Sequence, residues 1–300
     1  LDEAEREMGM FENEVFTELK WVDGATYNLT INGTDLAGND ANPVQVNNIT
    51  FDITPPVLDI LKLNNNGYIN DNILSYSLSE NLANGSMAFT RISGEEDPQS
   101  PQVVELSGKE LMAGNFMNQQ LGNGPNLVNG SIYNIEFSGS DPAGNEAATI
   151  KLENVSFDNQ APEISISRPL DSEQIKTTII SYMANEALEK ATVVFEQTSG
   201  TIDVNSPHRV VLSSGELTEG VHSDYDLDIT SSLADGGRYR VTIEAFDKAG
   251  NPGKVTPIND VFFDILPPNL SLSNPPSGSN VNSVAITYST TEEMGNGKMS

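Results

Sequence analysis

The sequence predicts an all-β chain of tandem antiparallel β-sandwiches, with about seven strands in each unit. Three observations predict it. A turn of the form Asp-x-Ala-Gly-Asn occurs at Asp35, Asp141 and Asp247, at a constant spacing of 106 residues. Each turn follows a strict alternation of apolar and polar residues: Tyr27, Leu29, Ile31; Tyr133, Ile135, Phe137; Tyr239, Val241, Ile243. Period-two alternation puts one set on a core face and the other in water. Prolines close each copy at Pro55-Pro56, Pro162 and Pro267-Pro268. A fixed period in such a pattern means an array of similar domains.

The period divides the chain into four segments. Residues 1–55 are the C-terminal half of a unit, 56–161 and 162–267 are complete units, and 268–300 begin a further one. A unit of 106 residues is long enough to bury its own core. Both ends of the sequence fall inside a unit, which suggests a piece of a larger chain.

In chain order, Leu1, Glu5 and Gly9 match Leu106, Glu110, Gly114 and Leu212, Glu216, Gly220. The segment 1–21 has helical propensity in DEAEREMGMF. Its partners carry glycine, so an irregular stretch or single helical turn between strands is expected. The alternating strand and its turn follow, with Gly38, Gly144 and Gly250 supplying positive φ. A further strand ends at Phe51-Asp52, Phe157-Asp158 and Phe263-Asp264. The linkers are short and contain proline, which predicts a semi-rigid rod. Each new unit opens on an apolar strand at Leu58, Ile164 or Leu270. The next strand, through Tyr76, Tyr182 or Tyr288, ends at Glu80, Glu186 or Glu292. A third strand leads into loops that differ between copies, Gly94–Pro101 and Gly200–Pro207, and then to Val103-Val104 and Val210-Val211.

Leu127…Gly130…Tyr133 and Leu233…Gly236…Tyr239, followed by alternation and Asp-x-Ala-Gly-Asn, resemble the fibronectin type III and Ig-like sandwiches of large bacterial surface proteins. The Phe-Asp-x-x-x-Pro passage is similar to the junctions of bacterial Ig-like repeats. The resemblance implies tandem seven-stranded Ig-like sandwiches and a tyrosine corner, in which the Tyr hydroxyl bonds to nearby backbone. Trp21 stands where the other copies have leucine. Antibody-type cysteine pairs and the DxNDN linker of cadherins are absent.

Composition excludes several function classes. With 43 acidic and 15 basic residues, the net charge is −28, and nucleic-acid binding, which needs clustered Lys and Arg, is disfavoured. The absence of cysteine removes disulfides, thiolate metal sites and cysteine nucleophiles. No apolar run reaches the roughly 18 residues of a membrane helix. No nucleophile–base set or phosphate loop stands out, so no enzymatic activity is expected. His208 and His222 lie in one unit, without histidine partners in the other, and read as surface residues.

The repeated acidic residues are the candidate site. In an Ig-like sandwich the loops after the second and sixth strands share the pole at which the chain enters. Glu80, Asp141 and Asn145 are therefore expected near Asp52, and Glu186, Asp247 and Asn251 near Asp158. Three carboxylates and an amide oxygen suit Ca²⁺. The competing reading is ordinary turn capping by Asp and Asn. The function expected is a structural repeat region, a stalk, fibre or adhesin spacer of an extracellular surface protein, stiffened by Ca²⁺. Its partners would be neighbouring repeats, other copies in a fibre, or a surface glycan or protein. The alternatives are a glycan- or protein-binding module acting through the variable loops, and spacer domains of a secreted enzyme.

Overall fold

The computed structural model describes residues 9–10, 12, 19–121, 124–283 and 285–298. Most of the segment 1–21 lies outside them. The described residues form strands, turns and short 3-10 turns, with no α-helix. No described helix is long and apolar enough to cross a membrane. The chain divides into two compact units, Leu1–Asp158 and Asn159–Ser300.

The first unit opens with β1 (Thr26–Ile31) paired antiparallel to β2 (Val44–Thr50). A two-sheet sandwich follows, made of β3 (Leu58–Leu61), β4 (Tyr68–Ile69), β5 (Ile73–Leu78), β6 (Asn84–Gly94), β7 (Gln102–Glu105), β8 (Gly114–Gln120), β9 (Ser131–Ser140) and β10 (Ile150–Phe157). One sheet has the order β3-β5-β8 and the other β4-β10-β9-β6-β7. Alternation along β9 buries Tyr133, Ile135 and Phe137 completely, in one core with Met87 and Phe89 of the neighbouring β6 and Tyr76 of the other sheet. Burying each such side chain contributes about 1.5–3 kcal/mol.

The second unit repeats the plan with β11 (Glu163–Arg168), β12 (Gln174–Ile175), β13 (Ile179–Ala184), β14 (Leu188–Gly200), β15 (His208–Val211), β16 (Gly220–Asp226), β17 (Gly237–Asp247), β18 (Lys254–Val255) and β19 (Ile258–Phe263). Its sheets are β16-β13-β11-β18 and β12-β19-β17-β14-β15. Their core holds Ile180, Tyr182, Val193, Phe195, Tyr239, Val241 and Phe263. The antiparallel pair β20 (Leu270–Asn274) and β21 (Thr287–Thr290) is the last among the described residues.

The repeated Glu-Leu passage forms a 3-10 turn in both sandwiches, Gly108–Leu111 and Ser214–Leu217. The backbone carbonyl of Glu110 accepts the buried Tyr76 hydroxyl at 3.1 Å, and that of Glu216 accepts the Tyr182 hydroxyl. The turn thus satisfies the polar end of a core tyrosine, as a buried hydroxyl requires. The tyrosine corner is present in all three copies. Val22 N–H donates to Tyr27 Oη at 2.7 Å, Val128 N–H to Tyr133 Oη at 3.0 Å, and Ala234 N–H to Tyr239 Oη at 2.8 Å. Trp21 fills its corner edge-on to Tyr27 at 4.6 Å and stacked on Phe51 at 5.6 Å.

Candidate functional site

Each Asp-x-Ala-Gly-Asn turn is held by its own first residue. Asp141 Oδ1 accepts from Ala143 N–H at 2.8 Å and Asn145 N–H at 2.9 Å, while Asn145 Nδ2 donates to Asp141 Oδ2 at 2.7 Å. Asp35 with Asn39, and Asp247 with Asn251, repeat this arrangement. Gly144 takes φ +91°, a conformation that glycine adopts without strain. Asp141 and Asp247 are nearly inaccessible, at 1% and 2% exposure. Burial alone would raise the Asp141 pKa, but the hydrogen bonds from Asn145, Ala143 and Gly144 outweigh it and hold the carboxyl below its usual range. The turn-capping role is therefore real.

The same carboxylate also faces other acids. β5 ends just before Glu80, and β2 just before Asp52. One carboxylate oxygen from each of Asp52, Glu80 and Asp141 lies within 4.8 Å of the other two. Asn145 joins them as a donor: its Nδ2 bonds the Asp52 carbonyl at 3.1 Å as well as Asp141. Its amide hydrogens thus tie the incoming chain to the turn, and Oδ1 is the atom it could offer a cation. Among the described residues no ion pair joins Lys, Arg or His to these three acids. Glu80 is pushed above the usual carboxylate range, first by desolvation and then by the charges of Asp52, Asp141 and Asp23. In the second unit Asp247 and Asn251 occupy the turn after β17, Glu186 follows β13, and Asp158 closes the first unit.

Comparison with known proteins places the chain. The bacterial Ig-like domain (group 3) family matches residues 12–164. The chain belongs to that bacterial Ig-like family. Among solved structures, fibronectin domains FN1–FN3 of chicken CNTN1 align at 13% identity with a TM-score of 0.39, over 80% of this chain and 77% of that one. A tetra-tandem repeat from the extending region of a large adhesion protein aligns at 17% identity and 0.29, over 84% and 60%. Fibronectin(III)-like modules of Clostridium thermocellum CbhA align at 8% and 0.33, over 69% and 95%. No curated protein sequence matches.

Four features of these bacterial Ig-like repeats correct or extend the sequence reading. The loops Gly94–Pro101 and Gly200–Pro207 are not variable throughout. Asp97, Ser100 and Pro101 recur 106 residues on as Asp203, Ser206 and Pro207. Asp97 Oδ2 accepts the Tyr133 hydroxyl at 3.0 Å, and Asp203 Oδ2 that of Tyr239 at 2.7 Å. Ser100 Oγ and Ser206 Oγ accept from Arg91 N–H and Gln197 N–H. The corner tyrosine is thus locked from both sides. Burial pushes the Tyr133 and Tyr239 hydroxyls upward, and the carboxylates beside them add to it. Desolvation would raise Asp97 and Asp203, yet donors, including Gln102 and His208, carry both below the usual range.

The histidines are the second correction. The His208 side chain is only 9% exposed and sits 2.6 Å from Asp203. Its counterpart is Gln102, whose Nε2 bonds Asp97 at 2.7 Å. His222 stacks on Tyr182 at 4.7 Å, as Phe116 stacks on Tyr76 at 4.6 Å. Both are structural substitutions at repeat positions, which an identity-only alignment hides. The third feature is Asp23, which caps the outgoing chain by accepting Ile53 N–H at 2.8 Å and contributes to the field at Glu80. Asp235 does the same for Ile265 N–H at 2.8 Å. The period was the available signal: Asp23, Asn129 and Asp235 each precede a glycine, 106 residues apart. Fourth, Asn48 and Asn154 take positive φ. The N–H groups of these two residues bond Asn28 Oδ1 and Asn134 Oδ1 at 3.1 Å. Asn28, Asn48 and Asn154 each begin an Asn-x-Ser/Thr triplet, and here they serve strand bulges.

Proposed function

We propose that this chain is a structural repeat region, a stalk or spacer of an extracellular surface protein, whose repeats are bounded at 55/56, 161/162 and 267/268. The observation that supports it most is the constant 106-residue period carried by bacterial Ig-like domains whose polar residues are spent on corners, turns and linkers. Reach and stiffness come from such repetition without a catalytic pocket. The net charge of −28 adds solubility and repulsion between copies. The test is on intact native cells. Antibody against residues 56–267 should label them, and external protease should remove the signal. Labelling only after lysis would sink the reading.

The second part of the proposal is Ca²⁺ at the chain entry to each repeat, held by Asp52, Glu80 and Asp141 with Asn145. By the period, the equivalent residues are Asp158, Glu186, Asp247 and Asn251. The carrying observation is the mutual approach of three carboxylates; desolvation raises the pKa of Glu80 first, and the charges of Asp52 and Asp141 add to it. A hard divalent cation takes six to eight oxygens, so backbone carbonyls and water would complete the shell. Millimolar Ca²⁺ should raise the melting temperature over that in chelator by several degrees, an effect of binding only the folded form. Glu80→Gln should reduce the gain. Identical melts in Ca²⁺ and chelator would remove the cation and leave the stalk.

A further inference from the structure

We propose that each complete repeat is a load-bearing module, with a shear clamp formed where its first strands lie parallel to its last. The clamp follows from topology, and its use in the cell rests on the stalk reading. In the repeat 56–161, β4 pairs parallel with β10, with Ser156 opposite Tyr68 and Phe157 opposite Ile69. Backbone bonds join them from Asn66 N–H to the Glu153 carbonyl, Ser156 N–H to Gly67, and Asp158 N–H to Ile69, all at 2.9 Å. In the repeat 162–267, β12 pairs parallel with β19. Ser172 N–H bonds Asn259 at 3.0 Å, Phe262 N–H bonds Glu173 at 2.9 Å, and Asp264 N–H bonds Ile175 at 3.0 Å.

Parallel order decides how a pull is felt. Both strands run from the entry end of the repeat to its exit end. Tension on the incoming chain drags the first strand backwards, and tension on the outgoing chain drags the last strand forwards. The two slide past one another, so the bonds across them are loaded together. Adjacent antiparallel terminal strands would instead leave at one end and unzip bond by bond. The linker residues Asp158 and Asp264 donate the last bond of each clamp. On the outgoing side force meets the clamp before it reaches the core; on the incoming side it arrives through β3 or β11, whose Leu58 and Ile164 are core residues.

The two repeats differ. In 162–267 a second parallel patch joins β11 to β18, pairing Glu163 with Lys254 and Ile164 with Val255, and Lys254 N–H bonds the Pro162 carbonyl at 2.8 Å. Among the described residues of 56–161, β3 has no such ladder partner. Both repeats carry a side-chain bond beside the clamp, Asn259 N–H to Asp171 Oδ1 at 2.6 Å and Glu153 N–H to Asn65 Oδ1 at 2.8 Å, so the second parallel patch is the difference. The 162–267 repeat should therefore yield at the higher force.

The test is to stretch the full 300-residue chain from its ends, by cysteines added there, since the chain has none of its own. Forced unfolding reads the unfolding barrier rather than equilibrium stability. Phe262→Pro deletes one clamp donor and spares the β17 ladder. It should lower the force of the 162–267 repeat, because proline removes one of the backbone bonds that join the parallel strands. Asp171→Ala, which changes only a side-chain acceptor, should lower it less. It decides the matter if chemical denaturation shows that the proline variant does not fold. Unchanged forces in a folded variant, or a lower force for 162–267 than for 56–161, would overturn the clamp. That failure would leave surface labelling, and so the stalk reading, intact. Absent labelling would remove the stalk and leave the clamp.

Discussion

At the scale of single residues, stability concentrates where a buried hydroxyl meets a buried carboxylate. Tyr239 donates to Asp203 and accepts from Ala234 N–H. Tyr239→Phe leaves both groups short of a partner, and an unmade buried bond costs about 1–3 kcal/mol. Urea denaturation should show a fall of that size. The same network sets an acid limit. Asp97 and Asp203 have folded pKa values below the ordinary carboxylate value. Their contribution is complete above the unfolded pKa of about 3.9 and is lost as pH falls through the folded value. Asp97→Asn with Asp203→Asn should lower stability at neutral pH and flatten its decline between about pH 5 and pH 2, read by melts across that range. The tyrosines were legible because they repeat by identity. Asp97 was hidden in a loop whose other residues vary, and His208 because its counterpart is Gln102. Its role is hydrogen bonding to a carboxylate, which either side chain supplies. His208→Gln should therefore leave the melting temperature nearly unchanged, whereas His208→Leu should lower it.

At the scale of elements, the alternating strands and their turns were legible because each carries a local physical requirement. Alternation along β9 and β17 fixes the buried face, and the turn glycines fix the reversal. The short strands β4, β12 and β18 were not legible. Two residues carry no periodicity, and they exist because a neighbouring strand offers free backbone groups. Glycines separate the two kinds of requirement. Gly144 has φ +91° with open space around it, so Gly144→Ala should cost only the left-handed penalty, about 1 kcal/mol. Gly200 has φ +84°, and an added Cβ would collide with the Gly236 carbonyl oxygen, part of the fixed backbone where β14 meets β17. Gly200→Ala should therefore be clearly more destabilising than Gly144→Ala in the same denaturation assay. Equal losses would mean that the β14 end relaxes freely.

At the scale of the whole molecule, the period governs what the chain can be. The acidic cluster was legible in outline because Asp52, Glu80 and Asp141 repeat and the sandwich topology puts their loops at one pole. The donor role of the Asn145 amide was not, since composition cannot say which end of an amide faces a neighbour. The cores show where each repeat is self-sufficient. One cluster runs from Leu58 to Phe157, the other from Ile164 to Phe263, and each is built only from residues of its own repeat. A domain of this length with its own core meets the condition for folding alone. Fragments 56–161 and 162–267, produced separately, should each unfold in a single cooperative transition, with near-ultraviolet circular dichroism from their buried tyrosines. The β1–β2 ribbon gives the contrast. Leu29, Ile31, Val44 and Val46 are exposed there, whereas the equivalent Ile135 and Phe137 are fully buried. Among the described residues that ribbon has no facing sheet, and a two-stranded ribbon is marginal in water, so residues 1–55 alone should show no cooperative transition. Cooperative folding of that fragment, or failure of the two complete repeats to fold, would move the boundaries and with them the assignment of the clamp strands.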